Sequence, residues 1–174
     1  MKRTKPPFYS ILIRYLILLI LAFSLPIFYK ILTPLTLLST SNILRIFYNI
    51  STTQDIIVIN SQTFIQLIPA CIAGSAYLLL IILNLTIPLS PKKRAYSLIF
   101  SILTFYLINI LRITLLSVWY HEGLRFFNIT HTLTWYIGST LLILMIWFIT
   151  IKLFSIKEIP VYTDFKNLIN VRRK

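Results

Sequence analysis

Long apolar runs, broken by short polar or basic stretches, set the organisation of this chain. Four runs, residues 11–32, 72–90, 95–120 and 132–154, reach or approach the roughly 20 apolar residues that a helix needs to cross a hydrocarbon core about 30 Å thick. Pro88 and Pro91 close the second run, Lys92, Lys93 and Arg94 make a tight basic loop before the third, and Gly123 falls in the connection to the fourth. The pattern changes between the first run and the second. Residues 35–50 mix apolar and polar side chains and predict an amphipathic helix lying along the membrane interface. Residues 56–59 and 64–68 are rich in β-branched and aromatic side chains and flank the polar turn Asn60, Ser61, Gln62, Thr63, which predicts a β-hairpin. The expected fold is an all-α polytopic membrane protein of one domain, residues 1–174. It has four transmembrane helices, a short extracytoplasmic amphipathic segment with the hairpin, and a tail over residues 155–174.

Composition agrees with that reading. Of 174 residues, 57% are hydrophobic and only 12% charged, which is wrong for an ordinary soluble fold. The net charge of +13 would suggest nucleic acid if the basic residues formed a face, but they fall in clusters between the apolar runs, as topology signals do. Nucleic acid is therefore not an expected partner. Lys2, Arg3 and Lys5 precede the first span, Lys92, Lys93 and Arg94 lie between the second and third, and Lys152, Lys157, Lys166, Arg172, Arg173 and Lys174 follow the fourth. Four spans put these three groups on one side, and the positive-inside rule makes that side cytoplasmic. The expectation is a multi-pass plasma-membrane protein with both termini inside. The first run lacks a small-x-small cleavage site and reads as an uncleaved first span.

The same topology selects the residues with chemistry to offer. Cys71, the one cysteine, follows the hairpin and Pro69, which is well placed to open a helix. The first turn of a helix favours thiolate, the nucleophilic form. Arg112 lies 17 residues after Ala95, about 25 Å along a helix, and so near the outer boundary at a depth similar to that of Cys71. An arginine there is expensive unless it has a partner or a wet cavity, and Asn109 shares its helix face. His131 stands at the outer start of the fourth run and suits proton transfer near neutral pH, with His121 as its competitor. Taken singly, each has a bland reading: an inert membrane cysteine, a snorkelling arginine, a histidine at the headgroups. Taken together, three segments deliver a thiol, a cation and a proton acceptor to one membrane face, which is the set that acyl transfer at a peptide bond requires. The two histidines and four acidic residues lack metal-ligand spacing, and no cofactor is expected.

On these residues the sequence resembles the exosortase/archaeosortase family of membrane-embedded cysteine transpeptidases. Ala70-Cys71 after a β-like stretch, Gly74, the Asn109-x-x-Arg112 motif and His131 fall in the family's order over residues 55–139. Many members carry glycine two residues after the cysteine, where this chain has Ala73. The resemblance implies that Cys71 attacks a peptide bond just outside the membrane in proteins bearing a C-terminal sorting tail. It further implies that Arg112 and His131 assist, that Asn109 and Gly74 support them, and that a lipid or other surface acceptor resolves the thioester. The competing reading is a non-catalytic membrane scaffold or assembly subunit. A small transporter is a weaker one, because Arg112 alone is a thin charge inventory for an ion pathway.

Overall fold

The computed structural model describes residues 8–87 and 89–156. The outermost basic residues (Lys2, Arg3 and Lys5 at one end, Lys157 onward at the other) and all but the first two residues of the expected tail lie outside that description. Helices α1 (Phe8–Phe23) and α2 (Leu25–Leu44) come first, followed by strands β1 (Ile50–Thr53), β2 (Ile56–Ile59) and β3 (Thr63–Gln66). The remainder is helical: α3 (Pro69–Ile72), α4 (Gly74–Leu85), α5 (Pro91–His121), α6 (Phe127–Leu133), a π-helical turn (Thr134–Gly138) and α7 (Ser139–Leu153).

Two helical stretches, Pro91–His121 and Phe127–Leu153, are long and apolar enough to cross a membrane. A third span exists if the pair Tyr15–Phe23 and Leu25–Leu44, bent by 58°, is one unit. The expected span over residues 11–32 overlaps that pair, so the bend at Ser24 falls within it. Pro26 has no N–H to offer the Ala22 carbonyl, which breaks the helical ladder here, and at Ser24 both the hydroxyl and the N–H donate to the Leu21 carbonyl, at 2.6 and 3.0 Å. Beyond the bend α2 runs on to Leu44, so the first part of the amphipathic segment expected over residues 35–50 is the end of this helix and not a separate element.

The second expected span, residues 72–90, is matched by a shorter element. Pro69–Leu85 is a shorter apolar helix, and it is broken at Ala73, whose φ of 57° and ψ of 41° are left-handed. The break allows a close approach: a Cβ on Gly74 would lie 2.8 Å from Cε1 of Tyr29 on α2. Only glycine lets the start of α4 sit against that ring.

The sheet has three strands in the order β1-β2-β3, both pairs antiparallel. The expected hairpin is present as β2 and β3, and β1 adds a strand that the expectation lacked. Asn60 and Ser61 take φ values of 50° and 57°, and the Gln62 N–H donates to the Ile59 carbonyl at 3.0 Å. With Ile59 facing Thr63, the connection is three residues long, 60–62, and closes on this tight turn. Ile57 and Ile59 bury completely against Leu44, Leu67 and Ile113, which fastens the sheet over the ends of α2 and α5. Tyr77, Leu80, Phe105 and Ile146 form the core between the helices.

Helix α5 shows how the bundle meets lipid. Ile99, Leu103, Leu107, Leu111 and Leu115 form an exposed row at four-residue spacing, while Ser97, Ser101, Phe105 and Asn109 are buried on another side. A continuous apolar row of this kind is untenable in water and ordinary in hydrocarbon.

Candidate active site

The main chain prepares the site before any side chain enters it. After β3, Ile68 is extended and α3 makes a single turn, in which the Cys71 N–H donates to the Ile68 carbonyl at 2.9 Å. The left-handed Ala73 then stops the turn, leaving the Cys71 and Ile72 carbonyls short of partners within their own helix. Helix α5 supplies them. Asn109 Nδ2 donates to the Cys71 carbonyl at 3.1 Å and approaches the Ile72 carbonyl at 3.4 Å. Arg112 Nη2 also donates to the Cys71 carbonyl, at 3.3 Å. An amide and a cation from the neighbouring helix thus cap the break, and positive charge is the favoured sign at a helix C-terminus.

This arrangement revises two expectations. Pro69 opens a helix and Cys71 falls in its first turn as expected, but that helix is a single turn ending at Ile72, so few aligned peptide dipoles stand behind its N-terminus. The Arg112 fork is largely committed: its other terminal nitrogen, Nη1, donates to Ser139 Oγ at 2.5 Å. Among the described residues, Arg112 Nε, Asn109 Oδ1 and the Tyr77 hydroxyl are buried without a hydrogen-bond partner.

Cys71, Arg112 and His131 line one cleft of about 270 Å³, together with Phe64, Gln66, Ile68, Leu116, Phe127 and Trp135 among others. His131 is half-buried and stacks on Phe127, with ring centroids 5.4 Å apart. The π-helical turn directly after α6 widens the helix here. Thr134 and Trp135 then border the cleft while Ser139, on the next turn, reaches Arg112. Extra-residue turns of this kind often mark functional positions.

His121 does not line this cleft. Its Nδ1 lies 2.8 Å from Thr63 Oγ1, its Nε2 lies 3.4 Å from Asn60 Nδ2, and the Tyr48 ring meets it edge-on at 5.1 Å. Tyr48 in turn donates to Glu122 Oε1 at 3.0 Å, and that bond holds the Tyr48 phenol above its usual pKa. His121 therefore pins the turn between β2 and β3 to the end of α5.

Sequence reasoning missed Ser139, and its signal was faint: one hydroxyl within a long apolar run. It also missed Tyr77, which looks like any aromatic residue of a membrane helix until its burial near Arg112 is seen. The chain matches no protein-family model, no curated protein and no solved structure.

Proposed function

We propose that this chain is a membrane-embedded cysteine transpeptidase or protease of exosortase/archaeosortase type, acting on membrane-anchored proteins with a C-terminal sorting tail. The observation that carries the reading is that Cys71, Arg112 and His131, from three different elements, border one shared cleft. In this mechanism the Cys71 thiol gives its proton to His131 and its sulfur attacks the scissile carbonyl carbon. The C–N bond breaks as His131 returns the proton to the leaving amine, and a thioester remains on Cys71. An acceptor amine, on a lipid or another surface molecule, then attacks the thioester and regenerates the thiol; water in its place gives simple proteolysis. Arg112 and Asn109 hold the Cys71 carbonyl, and so fix the direction from which the sulfur approaches, while Arg112 supplies positive charge beside the reacting group.

The membrane arrangement proposed with it is four spans with both termini cytoplasmic. The broken helix Pro69–Leu85 is the second span, and the sheet and cleft lie at the outer face. Lys92, Lys93 and Arg94, in the first turn of α5 just after the connection from α4, support that orientation.

Trapping tests the chemistry. Incubation with a reporter protein carrying a candidate tail, followed by hydroxylamine, is expected to release a hydroxylamine-sensitive adduct from wild type and none from Cys71→Ala. Equal processing of the reporter by Cys71→Ala at matched membrane levels refutes the enzyme and leaves the scaffold reading.

A further inference from the structure

Of the two free edges of the sheet, β1 and β3, the β3 edge opens into the cleft: Phe64, Ile65 and Gln66 all line it. The hydrogen-bond pattern shows which groups that edge presents. The Leu67 N–H donates to the Asp55 carbonyl at 2.9 Å, and one step along the same register Ile56 faces Gln66. Because facing pairs alternate in an antiparallel ladder, Thr63, Ile65 and Leu67 direct their main-chain groups toward β2. Phe64 and Gln66 direct theirs outward. Among the described residues no main-chain hydrogen bond from elsewhere reaches either of them. Phe64 is 65% exposed, so its ring stands in the open beside this edge.

We propose that the outer edge of β3 binds an extended peptide as a fourth strand and so delivers it to Cys71, five positions beyond Gln66. Three features select that occupant. An open strand edge offers donors and acceptors at a spacing that an extended main chain matches and a helix does not. The edge is continuous with the cleft that holds Cys71. The cleft walls beside it (Ile68, Leu116, Phe127 and Trp135) are apolar or aromatic, so the ligand is an extended segment whose alternate side chains are apolar. With the proposed function this names how the sorting segment is held; the binding itself does not depend on cleavage.

Cys71 is the one cysteine of the chain, which allows a test that needs no natural substrate. The probe is an apolar decapeptide ending in a cysteine activated as a thiopyridyl disulfide. Exchange joins the peptide to Cys71 through a new S–S bond and releases pyridine-2-thione, whose absorbance gives the rate. A small methanethiosulfonate reagent measures the accessibility of Cys71 alone and normalises each variant. Peptides N-methylated on one alternate set of amides are expected to be captured about fivefold to tenfold more slowly than those methylated on the other set, as loss of edge hydrogen bonds predicts. Gln66→Pro removes an outward N–H without touching the β2 ladder and is expected to slow capture similarly, whereas Gln66→Ala keeps the N–H and is expected to stay near the wild-type rate.

Equal rates for both methylated sets in wild-type protein overturn the proposal, whatever the stability of the proline variant. Equal losses in Gln66→Pro and Gln66→Ala overturn it as well. So does a dimer that dissociates on Gln66→Pro while peptide capture is unmoved, because the edge then pairs with a second copy. Alternation in capture without any reporter processing keeps the docking edge and removes the transpeptidase.

Discussion

Ala73→Gly is expected to stabilise the protein, against the usual effect of glycine in a helix. The reason is the backbone angle at that residue, φ 57° and ψ 41°. A left-handed conformation costs a residue with a Cβ about 1–2 kcal/mol, and glycine adopts it freely. Against that gain stand the greater freedom of glycine in the unfolded chain, about 0.4–1 kcal/mol, and a few tenths for one half-buried methyl group. The net expectation is a gain of about 0.5 kcal/mol. Were residues 69–85 one continuous right-handed helix, the same substitution would cost about 1 kcal/mol. The two geometries therefore differ in sign, and the sign decides. The assay is reversible unfolding from mixed micelles with increasing SDS, followed by tryptophan fluorescence, comparing wild type with Ala73→Gly and with Ala76→Gly as an ordinary helical control. A lower midpoint for Ala73→Gly, of the same size as the control, refutes the broken helix and with it the account of why the Cys71 carbonyl needs Asn109 and Arg112.

Other expectations follow from the site. Arg112→Lys keeps the charge but cannot hold Ser139 and the Cys71 carbonyl at once. Single-turnover processing of a tail-bearing reporter is expected to fall on the order of 100-fold, and a near-normal rate returns Arg112 to the role of an interfacial anchor. His131→Ala is expected to abolish processing with little change in the unfolding midpoint. His121→Ala is expected to lower the stability to unfolding by about 1 kcal/mol through the lost bond to Thr63, with processing largely retained; the opposite assignment reverses both readouts. In a Cys71→Ser background, Lys93→Cys is expected to resist impermeant thiol reagents added from outside, and labelling from that side refutes the topology.

What was legible in the sequence was what repeats or alternates. The runs that became α5 and the α6–α7 stretch were long, apolar and closed by breakers. The turn at Asn60 and Ser61 was visible as a polar stretch between two β-rich runs. The strand β1 was not visible: Ile50-Ser51-Thr52-Thr53 has little apolar alternation, and three of its four residues are exposed, so its place comes from pairing with β2. The bend at Ser24 and the break at Ala73 were hidden for a related reason. Apolar content measures the length of a run, whereas its straightness depends on single residues such as Pro26. The grouping of Cys71, Arg112 and His131 followed from counting depth along each helix. Their detailed roles did not, because the capping of the Cys71 carbonyl exists only once α3 stops.

The row of buried polar residues on α5 has a geometric meaning of its own. Near the start of the helix, Ser97 donates to Asn84 Oδ1 on α4, and Ser101 Oγ lies 3.0 Å from Thr150 Oγ1 on α7. Among aliphatic surfaces in a hydrocarbon solvent a helix has little reason to prefer one rotation about its axis, and these polar contacts fix it. Asn109 lies two four-residue steps beyond Ser101 along the same row, and Arg112 eleven residues, close to three full turns, beyond it. The two serines thus set the angular phase in which the amide and the guanidinium meet Cys71, some three turns away. One residue inserted between Ser101 and Asn109 would swing both groups about 100° around the axis, into the buried positions now held by Ile110 and Ile113 and off the Cys71 carbonyl, with every hydrogen bond at the far end intact.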